Sequence, residues 1–324
     1  GGIRITGGDV TLKGLTIKDK GILASAVTGL ELSNNKILNI TNAQEDAPAG
    51  SIIGLDVTSA NGPITVDKNV FSSIGETDGT GTAIRIVKAQ DSITITDNII
   101  KDVTKNGINI YSNCLTKENA VLTITGNVIE NWDSDMDSNN IGGRAIRIDF
   151  VGAASSATAS IQENKFVPPI YEETQTPVDP EYVKLTSVGI DVDLSHNYWG
   201  SSEPEFYVLL LVEGSGECTY FPFYSDEDME TLIEEPEEPV YIEETGVRYG
   251  NIQAAIDAAE DGNTIIVGLG TFDESLTINK SLTILGMNAD NDPRTDAFID
   301  EGSIVTGGIR ITGGDVTLKG LTIK

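Results

Sequence analysis

The sequence predicts an all-β fold: a right-handed parallel β-helix (solenoid) with one short capping helix. Three observations carry that expectation. Short segments of strict apolar-polar alternation recur along the chain, rich in β-branched residues and without helical spacing. An asparagine returns at one place in them, at Asn35, Asn69, Asn98, Asn127, Asn164 and Asn197, with spacings of 34, 29, 29, 37 and 33 residues. Finally, residues 1–18 read GGIRITGGDVTLKGLTIK, and residues 307–324 repeat them without a substitution.

The recurring segments are VTLKGLTIK (10–18), LELSNNKIL (30–38), ITVDKNVF (64–71), ITITDNII (93–100), LTITGNVI (122–129), ASIQENKF (159–166) and VDLSHNYW (192–199). A second family places a small residue before apolar-polar-apolar: Gly2-Ile3-Arg4-Ile5, Gly54-Leu55-Asp56-Val57, Ala83-Ile84-Arg85-Ile86, Gly107-Ile108-Asn109-Ile110, Ala145-Ile146-Arg147-Ile148 and Gly189-Ile190-Asp191-Val192. Two short strands per unit of 20 to 40 residues, with turn residues at fixed offsets, are expected to stack as coils. Alternate residues then face inward, so each coil adds one apolar layer. Asparagines at the same corner of successive coils can bond amide to amide, which gives them a structural role. The outward row Arg4, Asp56, Arg85, Asn109, Arg147, Asp191 is expected to form a ladder of cross-strand ion pairs.

The periodicity fails between about Phe206 and Glu244. Tyr220-Phe221-Pro222-Phe223-Tyr224 reads as an aromatic plug, and the acidic, Pro-containing stretch 225–239 as a linker. Beyond it, residues 251–259 are the one convincing helix, with Ile252, Ala255, Ile256 and Ala259 as its apolar stripe and Asp261-Gly262 behind it. Followed by TIIVGLG (264–270), SLTINK (275–280) and SLTILG (281–286), it is expected to cover the open end of a solenoid. The domain reading is therefore 1–224 as the later coils and end cap of one β-helix, 225–239 as linker, and 240–324 as the helix-capped first coils of the next.

The duplication has a period of 307 − 1 = 306 residues. A shared fold would fix Ile3, Ile5, Val10, Leu12, Leu15 and Ile17, but not the solvent-side Arg4, Lys13 and Lys18. Their return as Arg310, Lys319 and Lys324 points to copying of sequence, as in a tandem array. Residue 1 falls inside a strand pattern, so a targeting signal is expected outside these residues.

The formal net charge is −29, from 50 acidic and 21 basic residues. That field argues against nucleic acid and against an anionic membrane surface as partners. It keeps long copies from clumping, and some carboxylates could hold Ca²⁺. Two cysteines, Cys114 and Cys218, exclude a disulfide framework and are read as buried apolar residues. No stretch approaches a transmembrane length, so no membrane insertion is expected in this segment.

These residues resemble the pectin-lyase-like right-handed parallel β-helix superfamily, in particular its secreted repeat proteins. YGNIQAAIDAAEDGNTIIVGLGTFDESLTINKSLTILG (249–286) is similar to the helix-capped start of that group, and SHNYWGSSEPE (195–205) to its NYWG end. The likeness spans nearly all the chain except the linker. It implies an extracellular or cell-surface location, and it raises polysaccharide cleavage as a possibility to weigh. Galacturonan hydrolases of the group carry paired aspartates, His-Gly and Arg-Ile-Lys; here the Asp-Asp pair and the His-Gly are missing, and the sole histidine is His196. Pectate lyases need clustered carboxylates for Ca²⁺ and an arginine base, whereas the outward row here mixes its signs coil by coil.

The metal candidate is Asp133, Asp135 and Asp137, three aspartates at spacing two that can converge on one Ca²⁺ if the loop curls round it. The same loop also reads as a solvated insertion between coils. Asp290-Asn291-Asp292-Pro293 is a second acidic turn. The expectation is a non-catalytic structural segment whose partners are copies of itself end to end, with a surface glycan as a further partner. The alternative is a lyase or hydrolase acting on acidic glycans.

Overall fold

The computed structural model describes residues 2–43, 51–76, 81–132, 143–169, 182–202, 204, 209–214, 216, 218–234, 239–289 and 302–324. They form two compact units: Gly1–Leu211 with Gly216–Glu234, and Val212–Ser215 with Glu235–Lys324. The fold is a parallel β-helix with stacked sheets, as the alternation predicts.

In the first unit the chain visits three parallel sheets in turn. One sheet holds Ile3–Thr6, Ile22–Ser25, Ile52–Val57, Gly81–Val87, Asn106–Tyr111, Ile146–Asp149, Val183–Val188 and Leu210–Gly214. The second begins with Asp9–Lys13 and Gly29–Ser33 and runs to Cys218–Thr219; the third runs from Thr16–Asp19 to Lys165–Val167. A coil thus has three strands where two are expected from the sequence. The asparagine corner splits each alternating segment into a strand of the second sheet and a strand of the third, as in Ile93–Thr96 and Ile99–Val103.

Register explains the core. Leu30, Ile64, Ile93, Leu122, Ala159 and Val192 align across the second sheet, and Ile17, Ile37, Phe71, Ile100, Ile129 and Phe166 across the third. All are buried. Each Val, Leu, Ile or Phe side chain among them contributes about 1.5–3 kcal/mol by leaving water. At Gly54 and Gly107 the small residue that opens the second sequence family is a packing requirement, whereas a Cβ at Gly189 would meet nothing within 4 Å. A Cβ at Gly54 would lie 2.7 Å from the Ala83 carbonyl and 2.9 Å from Ile74 Cδ1, and one at Gly107 would lie 2.6 Å from the Ala145 carbonyl.

The outward row of the first sheet differs from expectation at both ends, the buried Leu23 lying between Arg4 and Asp56 at the first. Arg4 aligns with Leu23, Asp56 with Arg85, then Asn109, Arg147 and Lys184. Lys184 stands where Asp191 is expected, because the strand is Val183–Val188 and the following Val192–Asp193 belongs to the second sheet. Within the expected linker, Leu232–Ile233 pairs antiparallel with Phe223–Tyr224, so residues 223–233 form a hairpin. The Asp226 carboxylate closes it by accepting from Glu230 N and Thr231 N at 3.1 and 2.6 Å.

In the second unit Val240–Ile242 lies antiparallel to Arg248–Tyr249 and to Thr264–Val267, after which all pairing between coils is parallel among the described strands. The helix Ile252–Ala258 buries Ile252, Ala255 and Ile256 against Val240, Ile242, Ile265, Val267, Leu276 and Ile278. Seven residues do not hold a helix by propensity. Side chains clamp both its ends: Asn251 Oδ1 accepts from Ala254 N, and the Glu274 carboxylate accepts from Ile252 N and Gln253 N at 2.7 and 2.9 Å. Lys280 Nζ donates to the carbonyls of Ile256, Asp257 and Ala259 at 2.7–3.0 Å. Anion at the N-terminus and cation at the C-terminus also suit the helix dipole.

Both copies of the duplicated sequence fold as one coil. Ile3–Thr6, Asp9–Lys13 and Thr16–Asp19 match Ile309–Ile311, Val316–Lys319 and Leu321–Ile323. Each set lies at the edge of its sheets.

Candidate functional site

The predicted asparagines come together as a continuous internal ladder. Asn35, Asn69, Asn98, Asn127, Asn164 and Asn197 are all buried. At each step the side-chain oxygen of one coil accepts from both the backbone amide and the side-chain amide of the coil before it. Asn69 N and Nδ2 lie 2.9 and 3.0 Å from Asn98 Oδ1; Asn98 N and Nδ2 lie 3.0 and 2.9 Å from Asn127 Oδ1. The second amide hydrogen goes to a carbonyl, as from Asn98 to Val66 at 2.8 Å. A side-chain amide with both ends satisfied is tolerated in such a dry place. The ladder stops at the duplicated coil, where Leu15 occupies the corner and donates its backbone N–H to Asn35 Oδ1 at 2.8 Å.

The residue before each ladder asparagine is left-handed, at φ between 53° and 70°: Asn34, Lys68, Asp97, Gly126, Glu163 and His196. Outside glycine that conformation costs roughly 1–2 kcal/mol. The ladder hydrogen bonds offset it and turn the chain from one sheet to the next.

A charged cluster sits on the outward face of the first sheet. Arg85 Nη1 donates to both Asp56 oxygens at 2.9 and 2.8 Å, and Nε donates to the Tyr111 hydroxyl at 2.7 Å. Asp56 is buried, and burial pushes its carboxyl above the usual range, against the lowering pull of Arg85. Within the row expected to be a ladder of ion pairs, Asp56 and Arg85 form one such pair, and among the described residues the buried Asn109 Oδ1 finds no hydrogen-bond partner. Arg147, two coils beyond Arg85, is exposed.

His196 stands at the left-handed corner position before Asn197. Its Nδ1 lies 2.9 Å from Ser195 Oγ, and Ser195 is itself buried. The nearby Asp193 carboxylate accepts from Ser195 N at 2.9 Å and from Gln162 Nε2 at 2.9 Å. The carboxylate thus orients the backbone and an amide of the preceding coil, not the imidazole. Cys114 is buried, and burial raises both thiols, that of Cys218 to about 12 with Asp191 adding to it.

Asp133, Asp135 and Asp137 lie outside the described residues, as does the turn 290–293. Among the described residues no group of three His, Cys, Asp or Glu side chains is placed to hold a metal. No helix among them is long and apolar enough to cross a membrane. Tyr111 and the pair Glu274 and Lys280 escape sequence reasoning; the repeat of outward positions in consecutive coils is the signal that leads to the first. Comparison with protein-family models, curated proteins and solved structures returned no match.

Proposed function

We propose that the chain is a non-catalytic structural segment of an extracellular filament, stalk or surface adhesin, in which β-helical rods follow one another end to end. The observation that carries this reading is the eighteen-residue duplication, which folds into the same three-strand coil at both places. An identical solvent-side residue set 306 positions apart is a mark of an array, and a coil stack is a shape that extends by adding layers. Within this reading the rod is of the pectin-lyase-like type, its acidity keeps neighbouring rods apart, and a surface glycan is a secondary partner.

The second sheet of the first unit has eight strands, and Thr264–Val267 and Leu282–Leu285 add two coils before the duplicated one. At about 4.8 Å per coil, a repeat of ten coils is about 50 Å long. Electron microscopy of the native assembly should therefore give an axial repeat of about 50 Å plus a linker. The competing reading, cleavage of acidic glycans, is tested by a degradation assay with and without Ca²⁺. Clear turnover that is lost on Arg147→Ala would overturn the structural role.

A further inference from the structure

Two asparagines outside the ladder stand in the acceptor pattern for N-linked glycans, Asn-x-Ser/Thr with x other than proline. They are Asn39-Ile40-Thr41 and Asn279-Lys280-Ser281, and the sequence holds the pattern nowhere else. Both asparagines are exposed, and neither side-chain amide has a hydrogen-bond partner among the described residues. The fold itself keeps the ladder asparagines out of the pattern. Two residues after each comes an apolar core residue, Ile37, Phe71, Ile100, Ile129, Phe166 or Trp199, and all six are buried. Buried amides serve the stack; this exposed pair does not.

We propose that Asn39 and Asn279 are N-glycosylation sites, each taking an oligosaccharide from a lipid phosphate or diphosphate carrier. The proposal rests on the extracellular location read above, since the pattern is an acceptor only in a secreted chain. In the transfer, the side-chain Nδ2 bonds to the anomeric carbon of the sugar. The bond from that carbon to the phosphate oxygen breaks, the oxygen keeps the electron pair, and Nδ2 gives up one hydrogen as a proton. The hydroxyl two residues on is the other half of the acceptor pattern. Thr41 is exposed, and Ser281 Oγ, which accepts from Asp315 N at 3.0 Å, keeps its own hydrogen to donate.

Each site has room for a bulky group. Asn39 is left-handed, at φ 54°, beside the fully buried Ile40, so its side chain leaves the stack at the corner that closes Lys36–Ile40. The corner residues of the coils on either side, Asp19 and Ser73, are left-handed and exposed as well, which leaves the corner open to solvent. Three coils on, the same corner is used differently: Asn131 Nδ2 donates to Asp102 Oδ1 at 2.9 Å, and Asn131 is followed by Trp132-Asp133, not by a hydroxyl. Asn279 lies between the strands Leu276–Ile278 and Leu282–Leu285, one step past the buried Ile278. Its neighbour Lys280 reaches the carbonyls of the capping helix, so the turn is pinned while the Asn279 amide stays in solvent. Neither exposure is made by an open sheet edge. Lys36–Ile40 has a paired strand on each side, and Leu276–Ile278 lies between Gln253 of the helix and Ile309–Ile311. A glycan at these corners adds a hydrophilic bulk without entering the contacts between coils.

The test uses the protein purified from its own host, with the cell and extracellular fractions kept apart. Tryptic peptides 37–68 and 249–280 are read by tandem mass spectrometry. The expected result is a saccharide mass increment with sugar fragment ions on both peptides, assigned to Asn39 and Asn279. Thr41→Ala should remove the first increment and Thr41→Ser retain it, with Asn39 in place in both. Asn279→Gln should remove the second, and Ser281→Thr retain it. Asn39→Asp, a residue that accepts the left-handed corner, reads the first site if Thr41→Ala disturbs folding. A peptide found only unmodified in the extracellular protein overturns the site it carries and leaves the rod reading standing. A sugar that survives Thr41→Ala or Asn39→Asp, as one carried by a serine or threonine would, also overturns the proposal. A chain that stays inside the cell without sugar overturns the location and the glycans together, whereas a glycosylated chain that cleaves acidic glycans defeats the rod reading alone.

Discussion

Replacing Asn98 by alanine is the sharpest test of the ladder. The substitution removes four hydrogen bonds: two accepted from Asn69 N and Nδ2, and two donated to Val66 O and Asn127 Oδ1. Asn69 Nδ2 keeps its bonds to Leu32 O and Asp67 O, and Asn127 Oδ1 keeps the Asn98 backbone N–H. The Asn69 backbone N–H loses its acceptor in a site of 1% exposure, which costs about 1–3 kcal/mol. The three remaining lost bonds add up to about 1 kcal/mol each, so the total lies between about 1 and 6 kcal/mol. The measurement is denaturant unfolding, read as a fall in midpoint at constant slope, with hydrogen exchange at Asn69 as a local probe. Asn98→Ala with Asn127→Ala should fall short of the summed single effects by about 1 kcal/mol, because the two residues share bonds. A single variant within 0.5 kcal/mol of the wild type, on the order expected of a surface change, refutes the reasoning. So does a double variant whose effects simply add.

The charged cluster makes a second prediction: Arg85→Met strands the buried Asp56 carboxylate and should cost roughly 3–5 kcal/mol, and adding Asp56→Leu should recover most of it in the same unfolding assay. Because the folded Asp56 carboxyl titrates above its unfolded value, its contribution is present below the ordinary carboxylate range and is lost as pH rises through the folded value. The melting temperature of the wild type should therefore gain on that of Asp56→Asn as pH is lowered through this window. For the capping helix, Glu274→Gln and Lys280→Met should each cost about 1–2 kcal/mol and speed hydrogen exchange at Ala255 and Ile256. In the duplicated coil, Ile17→Ala should cost about 2–4 kcal/mol in the same assay, because its side chain is packed in the third sheet at 8% exposure.

The coil architecture is legible because Ile, Val and Leu at every second position can only be buried by stacking neighbours. The asparagines are legible for a related reason, since an amide that both donates and accepts can bond coil to coil when it returns at one corner. The left-handed corner residues are not. Asn34, Asp97, Gly126 and His196 are types that accept the left-handed region, but Lys68 and Glu163 are not, and there the ladder imposes the conformation from outside. Nor could alternation tell which of two adjacent runs pairs in the first sheet: Gly189-Ile190-Asp191-Val192 fits the pattern, yet Val183–Val188 forms the strand. Register of this kind is decided by the neighbouring coil, which a period of two does not identify. The Arg85–Tyr111 contact and the clamps on the helix escaped for the same reason, being set by which coils meet.

The backbone hydrogen bonds of the first unit run from coil to coil, along the direction of stacking. Tension along that direction loads the coils in series, so the stack yields one layer at a time. The coil with Leu15 at its corner lacks the side-chain amide that links the coils from Asn35 to Asn197, and is held there by the Leu15 backbone N–H donated to Asn35 Oδ1. A coil such as that from Asn69 to Asn98 holds 29 residues in a layer about 4.8 Å deep, and releases roughly 100 Å of chain when it opens. If the proposed structural role holds, a stack built this way would act as a tether that lengthens in steps before it breaks.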